Sequence, residues 1–187
     1  MTLPVTGSQT VGPFFSIGMA PLCEENFVAE GVAGERVTVH GRVLDGEGHG
    51  VPDAVLEIWQ ADAQGKYCEG DVEGGRGFRG FGRVATGTEG EFQFTTIKPG
   101  GVAGPGDSTS AQAPHLVVLV FMRGLLRHLM TRMYFEGEAG NAGDPVLKLV
   151  PEERRGTLIA GRDESAAETF VWNVRMQGDD ETVFFEL

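Results

Sequence analysis

"VTVHGRVL", Val37 to Leu44, "DGEGHGVPDA", Asp45 to Ala54, and "VLEIWQA", Val55 to Ala61, follow one another without a break and set the fold class of this chain. Val37, Val39, Gly41 and Val43 alternate with Thr38, His40 and Arg42, the period of a strand with one buried face. The glycine- and proline-rich middle reads as a turn, so the first and third stretches are expected to form an antiparallel hairpin. Working outward, strands are predicted at Phe81 to Gly87, Glu91 to Ile97 and His115 to Met122. The last is almost continuously apolar and is expected to be buried on both faces. Shorter candidates follow at 128–135, 156–161, 169–176 and 182–187. With 29 glycines spread along the chain at turn positions, the pattern predicts an all-β fold, a β-sandwich of mainly antiparallel strands. Gly12 and Pro13 break up the beginning, which reads as an extended N-terminal arm over residues 1–36. Residues 136–155 read as loop, with a short helix near "PEERR". No internal repeat divides the 187 residues, so one domain is expected.

Composition narrows the function. The formal net charge of −12 repels a phosphate backbone, which argues against a nucleic-acid partner. A small anionic substrate would need a local cation to hold it. No apolar run of membrane-spanning length occurs, and "MTLPVTGSQT" lacks the basic flank and apolar run of a signal peptide. Cys23 and Cys68 are therefore expected to be free thiols in a reducing cytoplasm.

Four histidines and two tyrosines are the scarce metal-ligand types. His40 within a strand and His49 in a turn read as surface residues. His128 reads as a structural histidine, and Tyr134 as a core aromatic with its hydroxyl hydrogen-bonded. Tyr67 and His115 are less easily assigned to structure alone. They belong to "VLEIWQADAQGKY" and "PHLVVLVF", between which stands "TIKPG", Thr96 to Gly100.

These three motifs, in this order, resemble the intradiol ring-cleaving dioxygenases, which use a non-haem ferric ion. The resemblance implies four iron ligands: a tyrosine after the first motif, another after the turn, and two histidines spaced H-x-H at the start of the next strand. On this sequence they fall on Tyr67, Val102, His115 and Val117. The 13-residue spacing from Val102 to His115 supports that register. Valine has no electron pair to donate, and two ligands are too few for ferric iron. No metal is expected on this chain. The arginine that the family places three residues ahead of the first histidine is Gln112 here.

Further motifs, "SQTVGPF", "TLIAGR" and "GDDETVFFEL", resemble the iron-free alpha chains of two-chain members of the family. That likeness implies a homologous beta subunit carrying Fe(III), a higher αβ assembly, and cleavage of 3,4-dihydroxybenzoate by O2 to 3-carboxy-cis,cis-muconate. No catalytic residue is expected here. Substrate-binding roles fall on Thr10, Gly12 and Pro13, and on Arg132, which stands where catalytic chains have glutamine. The plain alternative for Arg132 is a surface arginine paired with a nearby glutamate. Two rival functions remain open at this point. "GRVLDGEGHGVPDAVLEIW" also resembles non-enzymatic carboxypeptidase-regulatory or transthyretin-like binding modules, and a self-sufficient enzyme with substituted ligands would carry its own iron.

Overall fold

The computed structural model describes residues 5–12, 14–68, 78–104 and 110–186. Among these residues nine strands form a β-sandwich: β1 (Arg36–Leu44), β2 (Val55–Trp59), β3 (Phe81–Ala85), β4 (Glu91–Ile97), β5 (His115–Phe121), β6 (Leu129–Phe135), β7 (Ile159–Asp163), β8 (Ala166–Val171) and β9 (Val174–Arg175). One path of pairing runs β3-β2-β5-β6-β7-β8-β1-β4, with β9 alongside β1. The β1–β8, β1–β9 and β6–β7 contacts are parallel and the rest are antiparallel.

The path doubles back, so that Val37, Val39 and Val43 of β1 face Leu56 and Ile58 of β2 and Leu116, Val118 and Val120 of β5 in one core. Full burial of each such side chain stabilises the fold by roughly 1.5–3 kcal/mol. Phe27 stacks on Phe94 at 5.0 Å and Phe135 meets Phe170 edge-on at 5.0 Å, filling the space between the layers.

Four expectations need correction. β1 and β2 do not form a hairpin. β1 pairs with β4 from Arg36 to Arg42, while β2 lies between β3 and β5, so residues 45–54 cross from one layer to the other. The alternating pattern that made both segments strands also gave each an apolar face, and those faces meet across the core instead of lying edge to edge. The crossover is fastened by Thr86, whose buried hydroxyl accepts from the Ala54 N–H at 3.0 Å and donates to the Val51 carbonyl at 2.7 Å.

Strand β5 is also not buried on both faces. Leu116, Val118 and Val120 are buried, but Val117, Leu119 and Phe121 on the other face are only partly covered. Residues 182–187 contribute no strand among those described, only a bridge from Phe185 to Met130. The 169–176 stretch divides into β8 and β9, since between them the Trp172 N–H turns to the His40 carbonyl at 2.9 Å and Asn173 accepts from the Arg42 N–H.

The arm carries a short helix α1 (Phe14–Met19) and a 3-10 turn (Ala20–Leu22). It then runs extended beside β4, Phe27 donating to the Thr95 carbonyl at 2.9 Å. The 136–158 region holds three 3-10 segments, the last, Glu152–Leu158, at "PEERR".

Candidate functional site

The first motif and the Thr96–Gly100 turn are clasped together by their own polar groups. Asp62 accepts backbone N–H bonds from Gln64 at 2.9 Å and Lys66 at 2.8 Å, which closes the loop leading to Tyr67. The buried Gln60 amide donates to the Ile97 carbonyl at 2.8 Å and its oxygen accepts from Thr96 at 2.7 Å. Gly100 donates to the Asp62 carbonyl at 2.8 Å. Just beyond the turn, Val102 and Gln112 exchange two backbone bonds, at 3.2 and 2.8 Å. The loops that carry these motifs are therefore held in place by hydrogen bonds of their own.

Its side chains do not fit a ferric ion. Tyr67 is half exposed, Val102 is buried, and Val117 lies in register between Trp59 and Arg132. His115 donates from Nδ1 to the Ala113 carbonyl at 2.8 Å, and burial pushes its pKa below the ordinary histidine value, which keeps the ring neutral. Two donors stand where four are needed, and valine supplies none. Among the described residues no group of three or more histidine, cysteine or acidic side chains could hold a metal.

Beside these positions lies a cation held in a defined pose. Arg132, on the outer face of β6, donates from Nη1 to Gln112 Oε1 at 2.6 Å and to Tyr134 Oη at 3.4 Å. The Gln112 amide nitrogen is itself held by the Ala103 carbonyl at 2.7 Å. The partner expected of a plain surface arginine is a glutamate; the structure gives a glutamine and a phenol, and among the described residues no acidic side chain pairs with the guanidinium. Tyr134 is fully buried and donates to Asp144 at 3.2 Å, and burial lifts its pKa to about 12. Tyr134 was read correctly as a core aromatic. The contacts of Arg132 with Gln112 and of Tyr134 with Asp144 are not legible in the sequence, because they depend on strand register and on a return of the chain near residue 144.

The other substrate-contact expectations map elsewhere on the same face. Thr10 Oγ1 accepts from the Gly124 N–H at 2.8 Å, in the loop joining β5 to β6, and Gly12 accepts from the Phe15 N–H at 3.0 Å. Pro13 lies outside the described residues. Phe15 packs on Phe121 with centroids 5.9 Å apart, so the arm covers the outward side of β5. Arg132 pairs with Val117, three register steps from the base of that loop. The structure thus joins Arg132 to Gln112 and Tyr134, and places Thr10 and Gly12 at the loop end of the same sheet.

Of the remaining histidines, His40 lies 3.4 Å from Asp163, His49 sits among Asp45 and Glu47, and His128 packs on Phe121. All three have the structural surroundings expected of them. Both cysteines are free, and burial raises the Cys23 thiol pKa. Among the described residues no helix is long and apolar enough to cross a membrane.

Comparison with known proteins identifies the family. Residues 11–178 match the family described as dioxygenase. The alpha chain of protocatechuate 3,4-dioxygenase from Burkholderia cepacia is 45% identical, the match covering 100% of this chain and 99% of that one. The beta chain from the same organism is 32% identical, over 96% of this chain and 78% of its own length. Among solved structures, 3-chlorocatechol 1,2-dioxygenase from Rhodococcus opacus 1CP superposes with a TM-score of 0.65 at 20% identity, covering 93% of this chain and 68% of that one, which speaks to the fold. A match from residue 11 to residue 178 is far longer than a transthyretin-like module resembling residues 41–59 alone would give, and the chain belongs to the intradiol dioxygenase family, whose chemistry uses non-haem iron.

Proposed function

We propose that this chain is the iron-free, alpha-type subunit of a two-chain protocatechuate 3,4-dioxygenase. In that enzyme a homologous beta-type chain carries the ferric ion, and a higher αβ assembly works in the cytoplasm. The observation that carries this reading is the pair of valines, Val102 and Val117, at positions where the family's chemistry needs an oxygen and a nitrogen donor, in a chain otherwise alpha-like from end to end. The overall reaction breaks the ring bond between the two hydroxyl-bearing carbons of 3,4-dihydroxybenzoate. Both atoms of O2 enter the product, 3-carboxy-cis,cis-muconate. The beta-type chain's iron supplies the bond-making chemistry, and no step of it is assigned to a residue of this chain.

This chain's share is binding and enclosure. Arg132 offers a guanidinium to the substrate carboxylate, the local cation that a protein of net charge −12 needs to hold an anion. Thr10, Gly12 and Pro13 form part of the pocket wall, where a turn brings backbone close to a flat ring. The single domain of residues 1–187 presents its arm, residues 1–36, to the partner. Phe14 is 81% and Ile17 66% exposed on that arm, in keeping with a surface that a second chain covers.

Co-expression with a beta-type chain tests the proposal. The pair is expected to contain iron and to consume O2 with 3,4-dihydroxybenzoate, whereas this chain purified alone holds substoichiometric iron and is inactive. Stoichiometric iron and catechol-dependent O2 uptake by this chain alone would overturn the reading. Within the active pair, Arg132→Ala is expected to lower kcat/KM for 3,4-dihydroxybenzoate relative to catechol by tenfold or more, the weight of a charge-assisted hydrogen bond at about 1.5–3 kcal/mol. Equal losses on both substrates would remove the carboxylate role.

A further inference from the structure

Asp144 is the most deeply buried acidic group on the described residues and has no part in the function proposed above. Its carboxylate accepts from the backbone N–H groups of Ala113 at 2.8 Å, Val146 at 2.9 Å and Leu147 at 2.7 Å. These three bonds pin the 144–147 turn against the residues entering β5. The fourth comes from the Tyr134 hydroxyl at 3.2 Å. With its proton committed to Asp144, that hydroxyl turns a lone pair to Arg132 Nη1. Gln112 Oε1 takes the other hydrogen of the same nitrogen. Both Nη1 hydrogens are used, and among the described residues Nε and Nη2 have no hydrogen-bond partner. The edge left free is a parallel pair of N–H groups, the fork that binds a carboxylate through both oxygens.

We propose that Tyr134, backed by Asp144, is a positioning residue that turns the Nε–Nη2 edge of Arg132 toward the carboxylate of the aromatic substrate. The proposal rests on the reading that Arg132 holds this carboxylate. The order of groups explains why a phenol is used. Asp144 placed directly against the guanidinium would cancel its charge and compete with the substrate. One neutral hydroxyl between them transmits direction without cancelling the charge. The elevated Tyr134 pKa agrees, since the hydroxyl keeps its proton throughout the working range.

The test uses the complex with its beta-type partner. Initial rates with 3,4-dihydroxybenzoate and with catechol are compared for the wild type, Arg132→Ala, Tyr134→Phe and the double variant. Tyr134→Phe keeps the ring and leaves Asp144 its three backbone donors. It is expected to raise KM for 3,4-dihydroxybenzoate relative to catechol about three- to tenfold, with a smaller change in kcat. In the Arg132→Ala background the same change is expected to add nothing. Asp144→Asn, which acts through the same hydroxyl, should shift the substrate ratio in the same direction. Should Tyr134→Phe affect both substrates alike, or act undiminished without Arg132, the positioning role is refuted. If Arg132→Ala itself fails to discriminate, the carboxylate reading falls and this inference with it. Discrimination by Arg132→Ala but not by Tyr134→Phe refutes the positioning role alone.

Discussion

Replacing Gly65 by alanine tests the idea that the clasp between the two motif loops, and not any metal, holds this end of the sandwich together. Gly65 has φ +77°, and a Cβ there would collide with the Gly101 carbonyl oxygen and lie 3.0 Å from its carbon. The opposing wall cannot retreat freely, because Gly100 donates to the Asp62 carbonyl at 2.8 Å and Val102 is paired with Gln112. Two costs follow: roughly 1–2 kcal/mol for an alanine in the left-handed region, and about 1–3 kcal/mol for forcing atoms into a packed contact. Gly31 isolates the first of these, since its φ is +81° and a Cβ there meets nothing within 4 Å. Urea unfolding of the αβ complex, followed by tryptophan fluorescence, should place Gly65→Ala about 2–5 kcal/mol below wild type and Gly31→Ala only about 1–2 kcal/mol below. O2 uptake should fall with Gly65→Ala, whose loop borders the Arg132 region. Equal destabilisation by the two variants would refute the reasoning, showing that the loops yield to each other and that only backbone conformation matters.

Thr86→Val, which keeps the volume but strands the Ala54 N–H and the Val51 carbonyl, is expected to cost about 1–3 kcal/mol in the same unfolding assay. Alkaline titration followed at 295 nm should show a tyrosine ionising near pH 12 that disappears in Tyr134→Phe. Because folding raises this pKa, its contribution to stability is complete below the unfolded value near 10 and is lost as pH climbs toward 12; Tyr134→Phe should flatten the fall in unfolding free energy over that window. Treatment with a strong chelator should leave the thermal midpoint of this chain, purified alone, unchanged, since no residue set among the described residues fits a structural metal.

Strand positions were legible because each depends on a local period of two, and β1, β4 and β5 fall within a residue of their expected bounds. Partnership was not legible. Nothing in Val37 to Ala61 tells a hairpin from a crossing between layers, since both use an apolar face and a glycine-rich connection. The difference lies in which distant strand claims each edge, and for β1 those are β4 and β8. The outer half-coverage of β5 was hidden for a related reason: Val117, Leu119 and Phe121 are apolar whether they meet core, arm or a second chain.

The candidate site divides along the same line. Missing donors are a property of single positions, and Val102 and Val117 declare it without any structure. The pose of Arg132 is a property of three segments, and only folding brings Gln112 and Tyr134 to it and Asp144 to Tyr134. Where the resemblance to catalytic chains has arginine ahead of the first histidine and glutamine on the sixth strand, this chain has Gln112 and Arg132, with the residue types exchanged and the two side chains bonded at 2.6 Å. The guanidinium therefore projects from a strand whose register is fixed on both sides, by Val117 and by the Tyr134 pairing with His115 and Ile159. A cation on a strand keeps its direction at little entropic cost. The valines can replace metal donors without weakening the fold, because the turn that bears Val102 is held by backbone bonds and by Gln60, Asp62 and Thr96. Aliphatic side chains at these two positions and retention of the turn are thus compatible on stability grounds.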